Sequence, residues 1–264
     1  MRIARVFPRK TSQSPDDELA FFDAPGLFPP VVDEVHISVS FTYDYDRAEW
    51  LYFQWKDIAP TLLGGPAYNQ PSGEFIPGRY VKRGITFTSR GCRNKYWFCS
   101  VWKREPKLIE LSIQPGNIIQ DDNILACSEG HIRKVFKMLK TQPDRPHFNG
   151  GLEAKLLMDW HCELLADVKT ESMYFAYDTK DDLEPLFCAG DKLYNHGFGF
   201  PNRSARAFVL IGYPNDTISG AEKRFLQTIE AGFWPQAMLW RNEKGETDKT
   251  WGRFARHWAR PAIY

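Results

Sequence analysis

The feature that most constrains the fold is a regular alternation of strand-like and helix-like segments from Gly84 to the end of the chain. Six runs have the apolar, β-branched or aromatic character of strands, namely GITFTS, NIIQDD, HFNGG, SMYFAYD, RAFVLIGYP and QAMLWR. Repeated β-α units in series require parallel strands joined by right-handed crossovers. The chain is therefore predicted to be an α/β protein with either an open doubly wound sheet or an incomplete barrel.

Four helices between these runs are predicted from apolar residues at three- and four-residue steps. Ser128 stands at the N-cap position of the first helix, and Gly197 and Gly232 follow the last apolar residues of the third and fourth. The apolar faces are, in order, Ile132, Val135, Phe136 and Leu139; Leu156, Leu157, Trp160 and Leu164; Leu183, Leu186 and Leu193; Ala221, Phe225 and Ile229.

The first 83 residues are predicted to be a separate region. Residues 1–30 are rich in Pro, Asp and Ser, which indicates an irregular arm. VHISVSFTY alternates as a strand does, DRAEWLYFQWKDI has the pattern of a helix, and TLLGGPA is a short strand that enters a glycine turn. We therefore expect two domains, residues 1–83 with an arm and a truncated β-α-β unit, and residues 84–264.

Composition restricts the classes of protein that the chain can belong to. With 264 residues, 43% of them hydrophobic, it can bury a substantial core, and five cysteines without framework spacing indicate reduced thiols. The formal charge of +1 gives no overall attraction to nucleic acid or to anionic membranes. No apolar run approaches the ~20 residues of a membrane span, and MRIARVFPRK lacks the apolar segment of a secretory signal. A cytoplasmic location is expected.

Polar and glycine residues follow the predicted strands of the second region. Ligands of parallel α/β sheets bind at the carboxyl ends of the strands, so these residues are candidates for a site. The first strand leads into RGCRNKYWFC, and the second into Asp121, Asp122 and Asn123. Glu153 follows the third strand, Asp178 the fourth, and Gly212 and Pro214 stand at the end of the fifth.

In this order, the stretches resemble those of the radical S-adenosylmethionine (radical SAM) enzymes, particularly the branch with an N-terminal cobalamin-type domain. In that family, the loop after the first barrel strand carries cysteines at C-x3-C-x2-C, usually with an aromatic residue before the last. Cys92 matches the first position, Cys99 the last and Phe98 the aromatic residue. DDNIL, GGLEA, FAYD and IGYPNDT resemble the elements of the second to fifth strands.

The resemblance implies an incomplete (β/α)6 TIM-like barrel that holds a 4Fe-4S cluster and S-adenosylmethionine. An electron donor would reduce the cluster. The reduced cluster would then cleave S-adenosylmethionine and start radical chemistry on a substrate. By this resemblance, Asp122 would contact the amino group of S-adenosylmethionine, and Glu153 and Asp178 its ribose or methionine polar groups. Gly212 with Pro214 would allow close approach to adenine. A helix cap or a salt bridge at the rim is the alternative role for each carboxylate.

The chain departs from the family pattern where Tyr96 occupies the middle cysteine position. A phenol is a harder donor than a thiolate, with a pKa near ~10, so it replaces a thiolate only if iron removes its proton. Three explanations are open: Tyr96 ligates the cluster, a distant cysteine such as Cys127 substitutes, or the cluster has been lost. Zinc is not predicted, because no C-x2-C pair or companion histidine spacing occurs.

Basic residues are concentrated beside the cysteines. One acidic residue, Glu105, lies among nine basic ones: Arg79, Lys82, Arg83, Arg90, Arg93, Lys95, Lys103, Arg104 and Lys107. This concentration suits an anionic cluster, a carboxylate or a phosphate-bearing substrate. A solvated loop is the alternative interpretation.

The C-terminal tail WGRFARHWARPAIY also combines basic and aromatic residues. Trp251, Phe254 and Trp258 lie on one predicted helical face, and Arg253, Arg256 and Arg260 on another. An amphipathic helix that closes the open side of the barrel is favoured over nucleic-acid binding.

The N-terminal region resembles the later half of a cobalamin-binding Rossmann-like domain. It lacks a D-x-H-x-x-G stretch, so cobalamin binding is not predicted. The competing function is a cluster-deficient homologue that binds a nucleotide or nucleic acid through the basic residues of 79–107, or that serves as a scaffold.

Overall fold

Two parallel sheets organise the chain. The structure is a computed structural model that describes residues 1–70, 73–199, 202–242 and 244–259. The first sheet has four strands from residues 3–64, and the second has six strands from residues 85–239. The predicted α/β class with parallel strands is confirmed. Part of the predicted loop at 69–80, and Arg260 on the predicted basic face, lie outside the described residues.

The N-terminal sheet has the strand order β2-β1-β3-β4, and every neighbouring pair is parallel. Helix α1 connects β3 to β4, and its buried face, Leu51 and Trp55, packs with Val35 and Ile37 of β3. The elements are β1 (Ile3–Val6), β2 (Ala20–Phe21), β3 (Glu34–Ser38), α1 (Tyr45–Trp55) and β4 (Thr61–Gly64).

The prediction of an irregular arm at residues 1–30 is wrong. β1 pairs with β3 from Ile3 opposite Glu34 to Val6 opposite Ile37, and all of its four residues are buried. A strand of four residues is too short to display alternation, and its partner lies some thirty residues further along the chain. The predicted β-α-β unit is present as β3, α1 and β4, and the supposed arm extends it by two strands.

The C-terminal sheet has the strand order β12-β11-β10-β9-β8-β5, so its strands follow one another in sequence order, and all its pairs are parallel. The first predicted strand is divided, because Ser89 and Arg90 leave the sheet and pair antiparallel with a separate strand. The strands are β5 (Ile85–Thr86), β6 (Ser89–Arg90), β7 (Ile109–Glu110), β8 (Ile118–Ile119), β9 (His147–Leu152), β10 (Ser172–Tyr177), β11 (Ala205–Ile211) and β12 (Trp234–Leu239).

Helices follow the strands of this sheet, and their apolar faces form its core with Phe148, Phe175 and Phe233. The hydroxyl of Ser128 caps its helix as predicted, accepting from the His131 backbone N–H at 3.2 Å. The predicted second helix starts later than Leu156, which belongs to a short 3-10 turn. The helices are α2 (Val101–Arg104), α3 (Glu129–Leu139), α4 (Asp159–Asp167), α5 (Leu183–Asn195), α6 (Ile218–Glu230) and α7 (Lys249–Trp258).

A hydrogen bond joins the two regions: the side-chain amide of Gln13 donates to the side-chain oxygen of Gln120 at 3.2 Å. Within the first region, the Arg5 guanidinium of β1 donates to the Gly78 carbonyl at 2.9 Å. Within the described ranges, none of the helices has both the length and the hydropathy of a membrane-spanning segment.

Candidate functional site

The cysteine-bearing loop, residues 91–100, is fixed at its start by Gly91. Its φ of +82° is a conformation that residues with a side chain rarely adopt, and an added Cβ would overlap the Lys107 carbonyl. The Gly91 N–H donates to the Asp122 carboxylate at 2.8 Å. The loop is therefore anchored at the carboxyl end of β8, where ligands of such sheets bind.

Asn123 connects the loop to the next strand. Its side-chain nitrogen lies 2.7 Å from the Glu153 carboxylate and 3.8 Å from the sulfur of Cys92. The same sulfur accepts from the Asn94 backbone N–H at 3.4 Å. Cys92 therefore faces the carboxyl ends of β8 and β9. The sequence placed Asn123 at this rim but assigned it no role, because nothing local indicates a bridge between two strands.

Tyr96 and Cys99 share one turn, in which the Cys99 N–H donates to the Tyr96 carbonyl at 3.1 Å. Burial raises the pKa of Tyr96 to about 12, and the charges of Asp182, Glu153 and Asp178 contribute to that rise. Burial also raises the pKa of the Cys99 thiol, with contributions from Cys92, Asp122 and Asp178. Hydrogen-bond contacts thus place Cys99 beside Tyr96, and Cys92 beside the Asn123 side chain that also contacts Glu153.

Asp178 is a carboxyl group with an unusual environment. Burial, and then the charge of Asp182, raise its pKa to about 7. One of its oxygens, Oδ1, is buried without a hydrogen-bond partner among the described residues. Asp182 itself accepts from Thr179 and lies 3.5 Å from the Lys155 amine. Burial thus favours the protonated form of Asp178, and one of its oxygens is left without a hydrogen bond in the described structure.

Asp121 is a buried carboxylate that follows β8. Its carboxylate accepts from the Thr88 N–H and hydroxyl, both at 2.6 Å, and from the Ser89 hydroxyl at 2.8 Å. Burial raises the pKa of Asp121, and these hydrogen bonds offset part of that rise. The bond to the Thr88 N–H explains why the first strand is interrupted after β5 and why β6 turns away.

Gly212 and Pro214 lie beside α7. An added Cβ on Gly212, whose φ is +72°, would lie 2.9 Å from the indole of Trp251. The Gly212 N–H donates to Asp216 at 2.9 Å, and Asp216 pairs with Arg224 at 2.8 Å. The close approach that this glycine permits is thus made by Trp251, and Pro214 is exposed to solvent.

Aromatic residues of the loop extend across the site. Phe98 stacks on Tyr96 with ring centroids 5.3 Å apart. Trp97 contacts Tyr213 and Trp240, with centroid distances of 6.2 and 6.3 Å. These two partners follow β11 and β12, at the opposite edge of the sheet from β5. These contacts were not predicted, because they join segments that are far apart in the sequence.

The basic residues of segment 79–107 do not form a single surface. The Arg90 guanidinium lies 3.4 Å from the centroid of the Phe87 ring, and burial lowers its pKa. Arg104 lies 4.0 Å from the Asp122 carboxylate. Both therefore compensate the carboxylates of the rim, whereas Arg93 and Lys107 line a separate groove of about 660 Å³.

The other cysteines lie apart from the loop. Cys127 lines the groove of Arg93 and Lys107, and burial raises the pKa of its thiol to about 11. Cys162 is buried in the core, and Cys188 is exposed on α5. No contact in the described structure brings Cys127 to the sulfurs of Cys92 and Cys99.

The loop contains two residues of the type that holds an iron–sulfur cluster. Cys92 and Cys99 are soft ligands, whereas the Tyr96 phenol, whose pKa burial raises to about 12, is a harder donor that ligates only if iron removes its proton. In the described part of the chain, no group of three or more His, Cys, Asp or Glu side chains is arranged to hold a metal ion. No family model and no curated protein matches this chain.

Proposed function

We propose that the chain is a radical-SAM-type protein, in which S-adenosylmethionine is cleaved reductively at a 4Fe-4S cluster to drive radical chemistry on a substrate. One observation carries the proposal: the side-chain nitrogen of Asn123 lies 3.8 Å from the sulfur of Cys92 and 2.7 Å from the Glu153 carboxylate, and the loop that holds both cysteines is anchored by its Gly91 N–H to Asp122 at 2.8 Å. Both halves of the required chemistry, soft metal ligands and acceptors for a cationic ligand, are then available at the ligand-binding end of the sheet.

The strand orders support the finer description of the fold. A doubly wound sheet reverses its strand order at a switch point, as the N-terminal order β2-β1-β3-β4 does. The six-stranded sheet has no reversal, which favours a curved, incomplete (β/α)6 TIM-like barrel. The contact of Trp97 with the residues after β11 and β12 also favours curvature. The N-terminal sheet is then a truncated Rossmann-like unit.

The residues of the site have separable roles in this proposal. Cys92 and Cys99 would hold the cluster, and Tyr96 occupies the weak third position. When bound, the cluster supplies an electron from an external donor, and that electron breaks the carbon–sulfur bond of the sulfonium. Asp122 fixes the start of the loop, and Asn123 orients Glu153.

The carboxylates suit the charge of S-adenosylmethionine. Its sulfonium and amino groups are cations, and Glu153 and Asp182 lower the free energy of a cation nearby. The unpaired oxygen of Asp178 offers a hydrogen bond to an amino group or a ribose hydroxyl. The stacked rings of Tyr96 and Phe98 exclude water from the thiols beside them.

The direct test is release of 5′-deoxyadenosine from S-adenosylmethionine. The protein is reconstituted anaerobically with iron and sulfide, reduced with dithionite and assayed by chromatography. We expect about four iron atoms per chain and nucleoside release. Cys92→Ser should lose both, and Cys188→Ser, which alters an exposed thiol on α5, should retain both. An iron-free wild type that releases no nucleoside would contradict the proposal.

Substitution of Tyr96 tests the third position. Tyr96→Cys should raise iron occupancy, because a thiolate forms more easily than this phenolate and is a softer ligand. Tyr96→Phe removes only the hydroxyl. Unchanged iron content in Tyr96→Phe is expected if the phenol does not ligate, and loss of iron would show that it does.

The raised pKa of Tyr96 favours a second candidate, a cluster-deficient homologue that binds a nucleotide or nucleic acid or acts as a scaffold. In that case the wild type folds without iron, and only Tyr96→Cys acquires a cluster. Iron analysis of the two proteins, prepared side by side, distinguishes the candidates.

A further inference from the structure

Helix α7 has two faces of different chemistry. Phe254 and Trp258 pack on Phe225 of α6, with ring centroids 5.6 and 4.7 Å apart. The opposite face exposes Lys249, Arg253 and Arg256, and no residue of the helix is acidic. The predicted amphipathic helix is therefore confirmed, and packing of its aromatic face leaves its basic face outward.

The cations of this face are not used within the fold. In residues 1–70, 73–199, 202–242 and 244–259, the side chains of Lys249, Arg253 and Arg256 make no ion pair or hydrogen bond. Nearby acids have other partners: Asp248 caps α7 by accepting from the Thr250 N–H at 2.6 Å, and Glu246 accepts from Asn242 at 2.9 Å. These cations therefore face solvent without a direct ion pair in the described residues, although the charge of Asp248 interacts with Arg253.

Two open grooves flank the basic face. One, of about 490 Å³, is lined by Arg241, Lys249, Arg253 and Arg256. The other, of about 440 Å³, shares Arg253 and Arg256 and adds His257. Arginine and lysine along a groove are the side chains that contact a phosphate backbone.

The described residues that line the first groove are not aromatic, but aromatic residues lie next to them in the chain. Trp240 directly precedes Arg241, and Trp251 lies against Gly212, which precedes Tyr213. Trp97 contacts both Trp240 and Tyr213, yet 58% of its surface is exposed. An exposed indole can stack on an unpaired base, and neighbouring cations can contact its phosphates.

We propose that the basic face of α7, with Arg241 and Trp97, binds single-stranded nucleic acid. The four cations contact phosphates, and Trp97 stacks on a base. A duplex does not expose its base faces, which favours the single strand. This surface replaces the basic residues of 79–107 as the nucleic-acid site, because Arg90 and Arg104 of that segment face the interior rim. Binding here requires neither cluster nor S-adenosylmethionine, so it is independent of the function proposed above.

The test measures binding of fluorescent single-stranded RNA and DNA oligonucleotides, and of a DNA duplex of the same sequence, to the iron-free full chain by anisotropy at several salt concentrations. Four phosphate contacts predict a slope of log affinity against log salt of about −2.8. The double variant Arg253→Glu/Arg256→Glu should weaken binding at least tenfold and make that slope shallower by about 1.4. The RNA and DNA arms show whether the 2′-hydroxyl contributes.

A matched control reverses the same amount of charge elsewhere. Lys134→Glu/Lys137→Glu alters two exposed lysines on α3 and should change affinity less than twofold. Trp97→Ala should weaken binding about fivefold or more, and Trp97→Phe should restore most of it. If the charge-reversed α7 protein is unfolded by circular dichroism, Arg253→Gln/Arg256→Gln is measured instead.

Three results would overturn the proposal: no binding at low salt, equal losses in the α7 and α3 variants, or equal affinity for duplex and single strand combined with no effect of Trp97→Ala.

Discussion

Acidic residues follow strands in both parallel sheets of this chain, but their negative charges have different partners. Beyond the four-stranded sheet, Arg9 holds both oxygens of the buried Asp44, at 2.6 and 2.5 Å. Beyond the six-stranded sheet, Glu153 is bonded by the neutral amide of Asn123, and one oxygen of Asp178 has no partner among the described residues. At the second rim Asp122 lies near Arg104 and Asp182 near Lys155, but Glu153 and Asp178 have no ion pair among the described residues, which suits a cationic ligand.

The largest expected change in stability is at Asp121, whose carboxylate accepts hydrogen bonds from neutral donors at the rim of the six-stranded sheet. Asp121→Ala should lower the free energy of unfolding by about 3–5 kcal/mol, because it leaves the Thr88 N–H and two hydroxyls without their acceptor. Urea unfolding measures the change. Asp121→Asn, which keeps the volume and one acceptor oxygen, should lose less; a loss equal to that of Asp121→Ala would show that one remaining acceptor at this position contributes nothing, against the role assigned to these hydrogen bonds.

A substitution at Asp178 should raise stability at alkaline pH. Its pKa is about 7 in the folded protein and near 3.8 when unfolded, so the folded state binds the extra proton between these values. Stability therefore falls as the pH rises through this window. Asp178→Asn has no such proton to lose and should exceed the wild type by about 2–3 kcal/mol at pH 8 but not at pH 4. Parallel pH profiles from urea unfolding would contradict the assigned environment.

An Asp→Asn substitution at the rim of the four-stranded sheet should lower stability rather than raise it. Asp44→Asn removes the charge that pairs with Arg9 and should lower the free energy of unfolding by about 1–2 kcal/mol, a reduced value because Arg9 is half exposed. Thermal unfolding at pH 8, with Asp178→Asn beside it, gives the comparison. Stabilisation by both substitutions would mean that the two rims do not differ.

The smallest effect is expected at Glu153. Glu153→Gln keeps an oxygen that accepts from Asn123, so stability should change by less than about 1 kcal/mol. Binding of S-adenosylmethionine to the reconstituted protein, followed by calorimetry, should nevertheless weaken because a negative charge is lost. Unchanged affinity would remove Glu153 from the site.

Local patterns predicted much of the six-stranded region. Periodicity located its strands, and the Ser128 cap marked the start of α3. β1 escaped prediction because burial of its four residues depends on pairing with β3, a distant segment. The strand after Gly84 was predicted as continuous, because the sequence does not show that the Thr88 N–H donates to Asp121 instead of to a neighbouring strand.

For the candidate site, the sequence indicated which residues follow the strands but not the environment of those residues. The residues after β8, β9 and β10 were identified by their position at strand ends, which topology brings together. The bridge by Asn123, the contacts of Trp97 and the raised pKa of Asp178 depend on side-chain packing between distant segments. No local signal in the sequence specifies them.

Electron paramagnetic resonance of the reconstituted, reduced protein, with and without S-adenosylmethionine, tests the central claim most directly. We predict an iron–sulfur signal that S-adenosylmethionine perturbs in the wild type and in Asp44→Asn, and perturbs less in Asp178→Asn. A signal that is identical with and without S-adenosylmethionine, or no signal even in Tyr96→Cys, would contradict the assignment of the six-stranded rim as the cofactor site.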